Sequence, residues 1–411
     1  MAEKIVITGM GTVNAVGNTV DQTWNNIVNG VSGLGPITLF DHSDFLVHVA
    51  CEVKDFDPTQ YVDAREVRRR DRYELFSAAA VDQALKHSGF QITEENAPRV
   101  GMVISAAIGG IQSLEDGVLE IERGGPRRAS PFLIPMLMPN GAAGLAGIDT
   151  GAKGPALSVA SACASGQDGI GTAWMMLRSG MVDVAIAGAA EAAIVKTAVA
   201  AFDRMQAMSR RGLNDGTPSP FDKNRDGLVI GEGSAILIME SESHAKARGA
   251  DILAELAGYS ASADAYHITA PHAEGIGGSQ AIRSALQTAG VDLNGVDYIN
   301  AHGTGTQLND LSETRAIKAV FGEKAYDIPV SSTKSMTGHM MGATGALEAL
   351  LCILAIRNGI IPPTINYKEP DPELDLDYVP NKAREKEIGV AITNAFGFGG
   401  HNAVLVLRKY A

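Results

Sequence analysis

Short continuous apolar runs alternate along the chain with longer segments whose apolar positions recur at helical spacing. KIVITGMG (Lys4–Gly11) precedes TWNNIVNG (Thr23–Gly30), and RVGMVISAA (Arg99–Ala107), ALSVASA (Ala156–Ala162) and DVAIAGAAE (Asp183–Glu191) share the strand-like character. Unbroken apolar strands separated by helices indicate sheets covered on both faces, an α/β architecture. Irregular stretches fall at Arg210–Gly233 and around Pro362, Pro363 and Pro370. No apolar run is read as reaching the roughly 18 residues of a spanning helix, so no membrane contact is expected. The first run begins almost at Met1 and carries no signal-peptide pattern, so no targeting segment is expected either.

The pattern also repeats. CASGQDGIGTAWMMLRSG (Cys163–Gly180) matches GATGALEALLCILAIRNG (Gly342–Gly359) at a constant offset of 179 residues. Each segment follows a strand-like run and ends in Arg, a small polar residue and Gly. A second echo pairs GEGSAILIMES (Gly231–Ser241) with GGHNAVLVLRK (Gly399–Lys409), offset by 168. Echoes in the same order point to duplication, with the chain dividing into residues 1–250 and 251–411. Within this alignment Cys163 faces Gly342, so the framework repeats and the thiol does not.

With 411 residues, the chain is long enough for two domains or two fused halves. It is glycine-rich (46 Gly) and only 5% aromatic, which favours close packing of elements over a β-sandwich. A net charge of −13 argues against a general nucleic-acid binder. Cys51, Cys163 and Cys352 are odd in number and widely spaced; they form neither a disulfide framework nor a metal-ligand pattern. A reducing, cytoplasmic setting is therefore expected.

Four segments offer chemistry. Cys163 sits between a strand-like run and a helix, where free N–H groups and the helix dipole favour a thiolate and an oxyanion; a small buried packing residue is the competing reading. In VDYINAHGTGTQLND, His302 follows a strand and precedes glycines, which places it at a sheet's C-terminal edge, where α/β folds bind ligands. IPVSSTKSMTGH carries Lys334 and His339, and NAFGFGGHN places Phe398 between glycines. Three partial motifs fail. Asp222–Gly227 begins like a calcium loop but has Gly233 where Glu is needed. ITGMGTVN lacks the third glycine of a dinucleotide fingerprint, so Gly9 and Gly11 are read as serving a tight turn. Ser331–Lys334 fits Ser-x-x-Lys without its companion motifs.

Taken together, Cys163 in SACASG, His302 in NAHGTGT, Lys334 and His339 in SSTKSMTGH, and the late GFGG resemble the β-ketoacyl-[acyl-carrier-protein] synthases, most closely those of the synthase II type. The likeness runs from VITGMG to the C-terminus and takes in PFDKNRDGLVIGEG and PPTINY. It implies a thiolase-like fold, two duplicated α/β halves in a five-layered α-β-α-β-α sandwich. It implies an acyltransferase in which Cys163 holds an acyl chain while malonyl-acyl-carrier protein is decarboxylated, extending the chain by two carbons in fatty-acid synthesis. His302 and His339 would stabilise the enolate, Lys334 would support them, and the N–H groups of Cys163 and Phe398 would form the oxyanion hole. No metal or other cofactor is implied.

By the same resemblance, Thr269, Thr304 and Thr306 should line the phosphopantetheine tunnel, Ile108 and Phe202 should border the acyl pocket, and Leu133 should reach the partner's pocket in a homodimer. The acidic acyl-carrier protein needs a local basic patch. AREVRRRDR offers Arg65, Arg68, Arg69, Arg70 and Arg72, and GGPRRAS adds Arg127 and Arg128; pairing of these arginines with Glu66 and Asp71 is the alternative. Gly305, Gln307, Asn309, Ala395, His401 and Leu133 depart from the family's usual residues. A polyketide-type ketosynthase shares the chemistry. A thiolase would need a second cysteine in GFGGHN, and a non-catalytic chain-length partner would lack Cys163.

Overall fold

The computed structural model describes residues 3–410. Ten strands join one hydrogen-bonded sheet: β1 (Ile5–Asn14), β2 (Val100–Ser105), β3 (Ala156–Leu157), β4 (Val184–Glu191), β5 (Gly233–Ser241), β6 (Ala254–Ala263), β7 (Tyr298–Asn300), β8 (Val330–Ser331), β9 (Val390–Gly397) and β10 (His401–Arg408). Their order is β8-β7-β9-β10-β6-β1-β5-β4-β2-β3. Two blocks of five meet where β1 touches β6 through Val6↔Glu255 and Ile7↔Ala254.

Adding five to each strand number converts one block into the other. β1/β5 and β5/β4 are antiparallel while β4/β2 and β2/β3 are parallel. The second block repeats this with β6/β10, β10/β9, β9/β7 and β7/β8. The two sequence echoes are structural counterparts: β5 answers β10, and helix α2 (Ser165–Arg178) answers helix α5 (Thr344–Asn358). Helices α2 and α5 pack on each other and on strands of both blocks, forming the central layer. Helix α1 (Arg72–Ser88) covers the first block, and α3 (Ile276–Ala289) with α4 (Gln307–Phe321) covers the second. The result is the expected α-β-α-β-α sandwich.

Local sequence explains the main elements. Asp71 caps α1: its carboxylate accepts from the Tyr73 N–H, and Glu74 reaches back to the Asp71 N–H, a reciprocal box that satisfies two N-terminal donors. Gly9 and Gly11 do not make a turn. Both lie inside β1, and a Cβ on either would come within 2.3 Å of the α1 carbonyls of Ala84 and Ala80. Glycine here lets the outer helix lie directly on the strand.

One expectation about hydropathy needs correcting. Met341–Asn358 does have the length and mean hydropathy (1.3) of a spanning helix, yet 89% of it is buried inside the protein. It is the core helix between the two five-stranded blocks, and a helix apolar on nearly all sides is what that position demands.

Candidate active site

After the short strand β3 the chain turns sharply into α2. Ala162 adopts φ 51°, a left-handed conformation unusual for a residue with a Cβ. The Ser165 hydroxyl accepts from the Ser161 N–H (2.9 Å) and donates to the Ala162 carbonyl (2.6 Å), pinning the turn. Cys163 is thereby presented just before the helix start, partly enclosed. Burial pushes its thiol up to about 11, while the Lys334 charge and the Phe398 N–H act in the opposite direction. The helix terminus alone therefore does not give a resting thiolate.

His302 follows β7. Its backbone N–H and that of Gly303 both donate to the buried Glu313 carboxylate (2.8 and 2.7 Å), which also receives the Asn394 amide (3.0 Å). Asp310 performs the same service for the Phe221 and Gly305 N–H groups. His339 arrives from the second block's β8–α5 connection, with Nδ1 3.0 Å from the Thr344 hydroxyl. When Thr344 donates to that nitrogen, Nε2 carries the proton and faces the remaining space as a donor. The two imidazole rings are 5.4 Å apart and nearly perpendicular. Burial first, then the Lys334 charge, hold both well below the usual histidine range, so both are neutral.

The Cys163 sulfur and one nitrogen from each histidine lie within 4.8 Å of one another. Cys/His₂ is a donor set that zinc accepts. The positive charge of Lys334 already acts on all three groups, which disfavours a cation among them. Lys334 Nζ is 2.6 Å from Glu348 Oε1 on α5, and both side chains are 1% exposed. Burial raises Glu348 to about 7, with Lys334 pulling it back.

A cavity of about 250 Å³ opens onto these groups. It is lined by Cys163, His302 and His339, by Phe202 and Phe398, and by Thr269, Thr304 and Thr306. Polar hydroxyls and apolar rings thus share one channel, and the Thr304 and Thr306 hydroxyls sit 2.9 Å apart. Phe398 lies in a loop where Gly399 (φ 84°) and Gly400 (φ 73°) take left-handed conformations, and its ring is 6.3 Å from that of Phe202. A Cβ on Gly397 would fall 2.9 Å from the Cys163 nitrogen, so only glycine lets this loop come so near Cys163.

Two of the expected residues are not part of this cavity's lining within the chain. Ile108 is outside the cavity lining and packs in an apolar cluster with Phe202 and Met341. Leu133, in the short helix Leu133–Leu137, packs over Gly117 of helix Ile111–Gly124. The arginines divide. Arg65, Arg68, Arg69, Arg127 and Arg128 are exposed, and the Arg69 guanidinium lies 4.9 Å over the Phe132 ring, joining the two basic segments. Arg69 also pairs with Glu66, and Arg128 with Glu120. Arg70 and Arg72 are unavailable to a partner: Arg70 is clamped by Asp149 and Arg72 by the buried Glu232.

Sequence reasoning missed Glu313, Asp310 and Glu348. Glu348 left a signal, a single acid in the otherwise apolar run GALEALLCILAI. Glu313 and Asp310 left none, because acids on a helix usually face water.

Comparison with known proteins agrees with this geometry. The model of the β-ketoacyl synthase N-terminal domain matches residues 2–245, and that of the C-terminal domain matches residues 253–368. A 3-oxoacyl-[acyl-carrier-protein] synthase 2 from Synechocystis sp. is 47% identical over 409 residues, covering 99% of this chain and 98% of that one. A protein of the same name from Staphylococcus aureus is 46% identical over 408 residues, with 99% of each chain covered. Among solved structures, a type II polyketide acyl-carrier protein in complex with its ketosynthase bound to the hexaketide contains a chain that superimposes with a TM-score of 0.93 at 35% identity, over the full length of both.

Proposed function

The chain belongs to the β-ketoacyl synthase family, and from that premise we propose that it condenses an acyl group held on Cys163 with malonyl-acyl-carrier protein, in the manner of a fatty-acid-elongating synthase II. The observation that carries the reading is the convergence of one thiol and two neutral imidazoles within 4.8 Å, at a helix start faced by the Phe398 N–H. The half with residues 1–250 supplies the nucleophile; the half with residues 251–411 supplies the histidines, the lysine and the glycine loop.

In the first half-reaction the Cys163 sulfur attacks the acyl thioester carbon. The oxygen becomes an oxyanion that accepts from the N–H groups of Cys163 and Phe398. The carrier thiol leaves with the proton that Cys163 gave up. In the second, the malonyl carboxylate departs as carbon dioxide and its bonding electrons move into an enolate. His302 and His339, neutral and donating, stabilise the enolate oxygen, and a neutral donor can do so without first losing a proton. The carbanion then attacks the Cys163 thioester, and the thiol is released and reprotonated. Lys334 acts through its field, which adds to burial in keeping both imidazoles uncharged. Decarboxylation supplies the carbanion, so the reaction requires no metal or redox group.

Thr269, Thr304 and Thr306 suit a polar pantetheine arm, and Phe202 with Phe398 suits the boundary of the acyl site. In this reading Ile108 borders that site behind Phe202. The arginines joined through Phe132 would dock the acidic carrier protein. A second copy of the chain would cover the β3 edge. Helices Ile111–Gly124, Leu133–Leu137 and Gly141–Thr150 pack in series up to β3 and expose Val118, Ile134 and Ile148, while β3 itself exposes Leu157. An unpaired edge strand beside exposed apolar residues is a pairing surface, and Leu133 lies within it. A free thiol nucleophile persists best in a reducing compartment, and we place the chain in the cytoplasm on that ground. The test is carbon dioxide release from labelled malonyl-acyl-carrier protein together with the mass of Cys163 peptides after exposure to acyl-carrier proteins of varied chain length. Absence of both ketoacyl product and Cys163 acylation would refute the assignment.

A further inference from the structure

Glu191 is the last residue of β4, fully buried and unused by the chemistry above. Its carboxylate accepts four backbone N–H groups. Oε2 receives those of Ala107 (2.7 Å) and Gly342 (3.1 Å), and Oε1 those of Ile108 (3.2 Å) and Gly109 (3.0 Å). Three of the donors belong to the loop that leaves β2. The fourth belongs to the turn that runs from His339 into α5.

The duplication shows what is special here. The loop leaving β7, counterpart of β2, is also tethered by a carboxylate: Glu313 holds His302 and Gly303. Glu313 stays within its own half, whereas Glu191 bridges the two. Gly342 is the counterpart of Cys163, and the end of β4 is the counterpart of the end of β9, where Gly397 lies against the Cys163 nitrogen. In the half that carries no nucleophile, the matching helix start is therefore closed by a built-in carboxylate. Backbone amides at a helix start suit such an anion.

We propose that Glu191 is a positioning residue that fixes the register between the loop carrying Ile108 and the turn carrying His339, so that the acyl-pocket wall and the malonyl-side histidine move as one unit. The proposal rests on the roles given above to those two residues. Glu191 touches no substrate. Four converging N–H groups define its place more tightly than packing would, and losing them frees two loops at once. Displacement of either loop by about an ångström is enough to cost up to roughly a hundredfold in rate. Burial raises Glu191 to about 7 while its four donors favour the ionised form, and the Glu191 charge in turn raises the Cys163 thiol.

The test compares Glu191→Gln and Glu191→Asp with the parent chain. Glutamine keeps the size but turns an NH₂ group towards two N–H donors; aspartate keeps the charge on a shorter stem. Single-turnover acylation of Cys163 by short and long acyl-carrier proteins, malonyl decarboxylation, and the pH midpoint of Cys163 alkylation by iodoacetamide are measured, with near-UV circular dichroism to count folded molecules. Per folded molecule, E191Q is expected to slow both half-reactions about tenfold or more and to change the long-to-short preference. It should also move the alkylation midpoint to lower pH as the neighbouring anion is lost, and E191D should return that midpoint towards the parent value. Rates within about twofold of the parent, or an unmoved midpoint in folded E191Q, would overturn the proposal. A parent chain that never acylates Cys163 would instead refute the assigned reaction, and the alkylation midpoint would still decide whether Glu191 acts on the site.

Discussion

In the proposed reaction Cys163 acts as the nucleophile although its thiol is pushed up to about 11. The proton therefore leaves during the reaction and not before it, passing to the departing carrier thiol. Alkylation of the free enzyme should rise steadily with pH through the neutral range, without the plateau near neutrality that an activated thiolate would give. Rates of iodoacetamide labelling between pH 6 and 10 check this. His302 and His339 lie well below the usual histidine range. They gain protons only far below pH 6.5, so malonyl decarboxylation should show no acid limb near that value. A limb near 6.5 would mean that burial and the Lys334 charge do not hold them neutral. His339→Ala should abolish decarboxylation, whereas Cys163→Ala should abolish condensation and leave the imidazoles in place.

The elements explain why these side chains meet. Each catalytic group leaves the end of a strand or enters a helix on the central seam, and buried acids hold the connecting backbone. Lys334 and Glu348 form the innermost pair, tying a single-turn helix to α5. Removing one partner strands a charge in a nearly waterless place. Glu348→Ala is expected to cost about 3–5 kcal/mol in denaturant unfolding, far more than an exposed pair would. The strands, the central helices and their echo were legible because apolar periodicity survives in each half. So was the set Cys163, His302, Lys334 and His339, which the structure brings together, since unusual residue types at strand ends stand out. Ala156–Ala162 read as a longer strand than the two residues that pair, because residues 158–162 bend into the elbow before Cys163. Gly9 and Gly11 read as a turn because glycine's use in close helix–strand packing leaves the same letter. Glu313 and Glu191 were invisible, since a backbone-capping acid has no spacing of its own.

For the molecule as a whole, duplication gives one site from two unequal halves, and the remaining questions concern partners. If the β3 edge is covered by a second copy, Ile148→Glu should turn a dimer into monomer in sedimentation, because its side chain is 78% exposed and apolar on that face. Docking concerns charge. The chain carries −13 overall, so an acidic carrier meets long-range repulsion and needs a local exception. Arg65, Arg68 and Arg69 are joined to the segment of Arg127 and Arg128 by the Arg69–Phe132 stack, which concentrates positive charge where each arginine alone would be screened. Arg68 is the cleanest probe, because it is exposed and forms no ion pair among the described residues, whereas Arg69 also supports Phe132. Arg68→Glu should raise KM for carrier-bound substrates about tenfold, corresponding to roughly 1.4 kcal/mol, with little change in kcat. The loss should shrink as salt is added, since rim charges act mainly on encounter. Acylation by a carrier-free pantetheine thioester should be unaffected. An equal loss with that small donor would place the effect inside the channel and remove the patch as the docking surface.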